Sequence, residues 1–314
     1  MKQYLGLIFS AIYGLLIRVV SEFDFIEINS LSYLIVAPMI MGFIPFYFKD
    51  NGYRKSWAIA VFFPLLAVIL YLITAVISGL EDLICFFIIG LPYVFFSVVM
   101  SIIFYQVLKK KDKIKDDDSI IDRLSVPLLL LPILLGQIEK QFPKHKTEHI
   151  VSNEIIINQP DSVIWKNLFA VPDLRIANSS SFLNSFIVPQ PTHSTYDPKT
   201  NTRLGYFENG IVLNESVMVS ENNKKLTFAI NLEKSKLSSS PTFDHVLKNK
   251  SLQFEYIGYE LNSLKNGNTV LKLTTKYTIH SNIPFYGKMW STSIVNEFEQ
   301  NLLRSLKKVL EPLR

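Results

Sequence analysis

The sequence predicts an all-α transmembrane bundle followed by an α+β domain in which an antiparallel sheet packs on a long C-terminal helix. Three observations predict it. Up to Leu108 the chain is dominated by Leu, Ile, Val and Phe, whereas from Lys140 onward it is rich in Asn, Ser, Lys and Glu. Within the second half, Leu226–Leu232 and Leu271–Ile279 alternate apolar and polar residues, the pattern of a sheet with one buried and one wet face. Finally, Trp290, Ile294, Phe298, Leu302, Leu306, Val309 and Leu313 recur every three or four residues, as on an amphipathic helix.

The first region, residues 1–140, holds four or five spans, each set against the ~20 apolar residues that cross a bilayer. They are Tyr4–Val20, Leu31–Phe48, Trp57–Ser78, Leu83–Leu108 and Ile120–Gln137. No small-residue cleavage pattern follows the first, so it reads as an uncleaved helix. Tyr4, Tyr47, Tyr53, Trp57 and Tyr105 fall near span ends, where interfacial aromatics belong. The loops bearing Glu22, Asp24, Glu27, Glu81 and Asp82 are acidic, and those bearing Lys49, Arg54, Lys55 and Lys109–Lys115 are basic. Basic loops stay in the cytoplasm, which puts the first and third loops outside.

The fifth segment decides where the second half lies. Its apolar stretch, Leu124–Gly136, contains Pro127 and Pro132 and extends only ~20 Å as a helix. If it crosses, the C-terminal domain is extracytoplasmic; if it lies at the interface, the domain is cytoplasmic. Arg18 is the ionisable residue inside the first four spans, near a helix end where snorkelling is the expected behaviour. The bundle therefore reads as an anchor in a cell membrane, compatible with a bacterial cytoplasmic membrane.

The formal charge of +5 is modest and the lysines are dispersed, which with the lack of any binding-module pattern argues against nucleic acid. The lone Cys85 lies in an apolar run, so no disulfide or redox pair is available within one chain. His145, Glu148 and His149 have metal-ligand spacing only on a helix, and Lys144 and Lys146 beside them disfavour a cation. No metal and no cofactor is expected.

Residues 141–148 are expected as a linker, and 149–314 as the second domain. Glu154–Asn158 reads as a strand, and Asp161 or Ser162 caps a short helix through Trp165, Leu168 and Phe169. Ser179–Thr202, with three prolines, reads as loop-rich. Asn266-Gly267 and Glu221–Lys225 read as hairpin turns between strands. The closing helix carries Lys288, Glu297, Glu299, Arg304, Lys307 and Lys308 at positions off its apolar stripe. The sheet's apolar face is the available partner for that stripe.

These elements, in this order, carry a resemblance. Glu154-Ile-Ile-Ile-Asn158, Pro160-Asp-Ser-Val-Ile-Trp165, Arg203-Leu-Gly-Tyr-Phe-Glu208, Asn214-Glu-Ser-Val217, Lys225-Leu-Thr-Phe228, Leu271-Lys-Leu-Thr-Thr275, Tyr286 and Trp290 together resemble the SRPBCC or START-like superfamily (polyketide cyclase/dehydrase and lipid transport). It covers about half of the chain and leaves the membrane region outside. The resemblance implies a helix-grip fold: a curved antiparallel sheet around the C-terminal helix, with an apolar cavity between them for a lipid or other hydrophobic small molecule.

A cavity needs a few polar groups to orient a ligand. Arg203, Glu208, Glu215 and His245 are the polar candidates, and Phe207, Tyr256, Tyr277, Tyr286 and Trp290 the aromatic ones. Each also has a plain structural role open to it: an edge ion pair for Arg203, a loop contact for His245, core packing for the aromatics. Three functions stay open. They are a membrane-anchored binding module meeting membrane lipids and a hydrophobic small molecule, a cyclase- or dehydratase-like enzyme using Arg203, Glu208 or His245 as acid–base groups, and an interaction domain without ligand.

Overall fold

The computed structural model describes residues 2–47, 56–111, 119–175, 190–237 and 251–311. The chain divides into two compact units, Met1–Lys144 and His145–Arg314.

The first unit is helical: α1 (Lys2–Glu22), a π-helical turn (Ser32–Val36) leading into α2 (Ala37–Tyr47), α3 (Trp57–Ile77), α4 (Leu83–Ile88), α5 (Gly90–Lys111) and α6 (Ser119–Glu139). Among the described residues, three stretches are long and apolar enough to cross a membrane: Tyr4–Glu22, Trp57–Ile77 and Leu83–Lys109. The second and fifth expected spans are covered only in part by the described side chains. Leu31–Phe48 opens with the π-turn, closed by the Ala37 N–H on the Ser32 carbonyl, because Pro38 has no N–H to continue an α-helical ladder. Among the residues whose side chains are described, its apolar helix runs Ser32–Phe46 and that of the fifth segment Pro127–Glu139, each under eighteen residues. Helices α2 and α5 approach at Gly42, where a Cβ would lie 2.1 Å from the Ser97 carbonyl oxygen; only glycine fits so close a crossing.

Arg18 does not snorkel to water. Its side chain is buried, and pairs with Glu81 and Glu22. It donates to Ser21 Oγ at 3.2 Å and to the Leu80 carbonyl at 2.5 Å. The end of α6 meets the turn after α1: Gln137 donates to the Phe25 carbonyl at 2.6 Å, Glu139 accepts from the Leu31 and Ser32 amides at 2.9 Å, and Lys144 pairs with Glu27 at 2.7 Å.

Among the described residues, the second unit is one seven-stranded antiparallel sheet with a helix on it. Its elements are β1 (His145–Ile157), α7 (Asp161–Phe169), β2 (Pro191–Asp197), β3 (Thr202–Phe207), a 3-10 turn (Glu208–Gly210), β4 (Val212–Glu221), β5 (Lys225–Lys236), β6 (Leu252–Ser263), β7 (Thr269–Ser281) and α8 (Pro284–Leu310). The strand order is β1-β7-β6-β5-β4-β3-β2. Every hairpin from β2 to β7 joins neighbours, and β1 closes on β7 over their whole length, from His145↔Ser281 to Ile157↔Thr269. Residues 145–148, expected in the linker, are therefore strand. Within Ser179–Thr202, expected to be loop-rich, Pro191–Asp197 forms β2; it is an edge strand, the place where a sheet tolerates proline.

Bulges interrupt the register of β2, β4, β5 and β6 and bend the strands that carry them. The principal core joins Ile157, Trp165, Leu168, Leu226, Phe228, Tyr259, Leu271 and Leu273 to Leu302, Leu303, Leu306 and Leu310 of α8. A smaller cluster, Val151, Tyr277, Ile279 and Val295, lies nearer the start of α8. The stripe expected on that helix is a broader arc. Leu302 and Leu306 are buried, but so are Val295, Glu299, Asn301, Leu303 and Ser305, while Trp290, Ile294, Phe298 and Val309 are half-buried. Leu313 lies outside the described residues.

Candidate functional site

The candidate site is the sheet face turned toward α8. Alternation and register fix which side chains share it. Leu226 and Phe228 of β5 are in the core, so Ile230 follows on the same face, and Glu215 pairs across from Ile230. Arg203 in turn pairs across from Glu215.

Arg203 and Glu215 are brought together there. Arg203 Nη1 donates to Glu215 Oε2 at 2.7 Å and Nε to Ser194 Oγ at 3.0 Å, and its guanidinium lies 4.7 Å over the Phe228 ring. Gly205 makes room for the carboxylate: a Cβ there would stand 3.1 Å from Glu215 Oε1. Burial pushes the Glu215 carboxyl upward, and Arg203 draws it back. Burial opposes the Arg203 charge, but Glu215 and Tyr259 outweigh it and hold the guanidinium charged. With its donors on Glu215 and Ser194 and its face on Phe228, Arg203 is a fixed positive centre in an ion pair.

A second polar group lies between the two apolar clusters. Asn153 of β1 donates to Glu299 Oε2 at 2.8 Å and to Asn296 Oδ1 at 3.0 Å, and Gln300 donates to Asn153 Oδ1 at 3.3 Å. Burial raises the Glu299 carboxyl, against hydrogen bonds from Thr275 and Asn153 that lower it. Its Oε1 is buried without a hydrogen bond, as is Asn301 Oδ1, whose amide donates to Gln190. Residues two apart point ~200° apart on a helix, so these atoms serve opposite sides of α8. A ligand hydroxyl or N–H is the kind of group each would accept.

The remaining candidates divide. Tyr277 is buried on the inner face, with its hydroxyl 3.2 Å from Ser291 Oγ and 3.1 Å from Thr292 Oγ1 of α8. Tyr286 and Trp290 pack edge to face on the first turns of α8, and Phe207 stacks with Phe298 at 6.0 Å. Tyr256 is a correction: it pairs with Lys276 on the outer face. The bulge at Glu255 breaks the alternation, so Phe254 is inside while Glu255 and Tyr256 are both outside; Glu255 accordingly bonds Lys276 and Thr278. Glu208 is exposed in the 3-10 turn, away from the ion pair. His245 lies outside the described residues. Among the described residues, therefore, Arg203 and Glu208 are not brought together. His145, Glu148 and His149 lie on a strand, which turns the glutamate to the face opposite the two histidines.

Glu299, Asn153 and Asn301 were not candidates. The signal for Glu299 was its place in the helical repeat between Val295 and Leu302, where an apolar residue belongs.

No family model and no curated protein matches the chain. Solved structures similar to it include a START superfamily protein from Mycobacterium smegmatis, at 11% identity over 53% of this chain and 99% of that chain, with a TM-score of 0.34. The Zhui aromatase/cyclase from Streptomyces sp. R1128 is 9% identical over 52% of this chain and 94% of that chain, TM-score 0.34. A protein from Mesorhizobium loti is 15% identical over 52% and 96%, TM-score 0.32. The fold described here rests on strand order, register and helix placement.

Proposed function

We propose that this chain is a membrane-anchored binding module of the SRPBCC or START-like kind, holding a hydrophobic small molecule or lipid between sheet and C-terminal helix. One observation carries the reading: α8 is gripped tightly only along its second half. All of its buried residues lie from Val295 onward. Toward its start the inner-face side chains Phe207, Ile230, Phe254, Trp290 and Ile294 are only half-buried. Apolar groups left partly open, with a few polar groups nearby, are the lining a hydrophobic ligand uses.

The anchor reading rests on the first unit. Its exposed side chains form apolar stripes, Leu5, Ile8, Ile12, Leu16 and Val19 on α1 and Phe62, Leu66, Leu70, Ile73 and Ile77 on α3. Arg18, Glu81, Ser97 and Ser101 are buried. Apolar outside and polar inside suits a lipid solvent. Helix α6 has 21 residues, about 31 Å, and it ends on the turn after α1. In this reading α6 crosses, and the loop charges put the C-terminal domain outside the cytoplasm.

Native mass spectrometry of the full chain released from detergent tests the binding. A retained apolar adduct is expected in the natural protein, and its loss in Ile230→Trp, which fills the half-open region. The same adducts in both proteins would assign them to the bundle surface and remove the support for a ligand in the domain.

A further inference from the structure

We infer that the start of α8, through Phe285 and Met289, is a docking surface for a lipid bilayer. The inference rests on the anchor reading above. Phe285 is 80% exposed and Met289 41% exposed, and their i, i+4 spacing places them on one side of the helix. Phe285 is the most exposed large apolar side chain described in the second unit. Exposed Lys288 lies beside them, and half-buried Tyr286 and Trp290 follow. Apolar residues with interfacial aromatics and a lysine form the composition that lies in the headgroup boundary.

Chain connectivity says which surface this patch meets. Lys144 is held on Glu27 at the end of the helical unit, and the next residue, His145, already begins β1. His145 pairs with Ser281, three residues before α8 begins. The tether and the exposed start of α8 therefore share one end of the sheet. The hairpin turns at 197–202, 221–225 and 263–269 lie at the other end, with the tightly packed core. An anchored chain thus brings Phe285 to the bilayer and keeps those turns away from it. The same end carries the half-buried lining, so docking would open the ligand region directly onto lipid.

Nitroxide accessibility of the full chain in phosphatidylcholine–phosphatidylglycerol bilayers tests this. In a Cys85→Ser background, Phe285→Cys, Met289→Cys, Asn222→Cys and Leu70→Cys are labelled separately. Labels at 285, 289 and 70 are expected to favour collision with oxygen, and the label at 222 with a water-soluble nickel chelate. Water-like values at 285 and 289 with a lipid-like value at 70 would overturn docking and leave the anchor standing. A water-like value at 70 would overturn the anchor, and docking with it. Spin–spin broadening at 285 that unlabelled protein dilutes away would place a second copy of this chain on the patch, which also overturns bilayer docking.

Discussion

Arg18 on the first helix is buried against Glu81, in the turn that follows the third, although the two are 63 positions apart in the sequence. Removing one partner leaves the other charge buried and uncompensated, which typically costs about 3–5 kcal/mol. Arg18→Met and Glu81→Leu should each lower the unfolding temperature of the full chain markedly. The double variant Arg18→Met/Glu81→Leu should lose clearly less than the sum. Additive losses in that cycle would mean that the two charges do not act as a pair.

Glu299 should make the second unit less stable as pH rises. Burial holds its folded carboxyl above the ordinary glutamate range, so the folded state keeps a proton that the unfolded state has lost. The contribution is fully present below the unfolded pKa and disappears as pH climbs through the raised one. Thermal unfolding followed from about pH 5 to pH 8 should show a decline that Glu299→Gln flattens. Glu215→Gln should instead destabilise, because it strips the buried Arg203 of its carboxylate. A natural protein and Glu299→Gln with the same slope would remove Glu299 as the source.

A fragment from His145 to Arg314 should fold alone, since its core is drawn from its own strands and helices. Starting later would strip β1 of pairs with β7. Within that fragment Leu306→Asp buries an unpaired charge and should cost several kcal/mol (~3 or more), while exposed Arg304→Ala should stay within about 0.5 kcal/mol. Circular dichroism melts compare the two directly. Similar losses would mean that the buried arc of α8 is assigned to the wrong side.

What was legible in the sequence was whatever repeats locally. The alternation from Leu271 to Ile279 marked β7 and its buried face, and the spacing from Leu302 to Leu306 marked the helix that the sheet holds. Arg203 and Glu215 were visible as polar residues among apolar ones, but only the antiparallel register of β3 and β4 brings them side by side. Tyr256 shows the limit of alternation: one extra residue at Glu255 turns every later side chain of β6 over. Arg18 was read from its own span, where a helix end explains a charge, while its partner lies in a turn that only tertiary packing delivers. Glu299 lies off the apolar stripe in the sequence, and its burial depends on Asn153 arriving from β1.

Phe254 and Tyr256, on opposite faces of β6 across one bulge, report whether the inner face of the sheet holds a hydrophobic molecule. A photoreactive phenylalanine analogue is placed at each position in turn, and the full chain is irradiated in intact cells. Mass spectrometry then reads what has become attached. A discrete adduct with an apolar small molecule is expected at position 254, and none at position 256. No adduct at 254, or the same adduct at both positions, would contradict a ligand on the inner face.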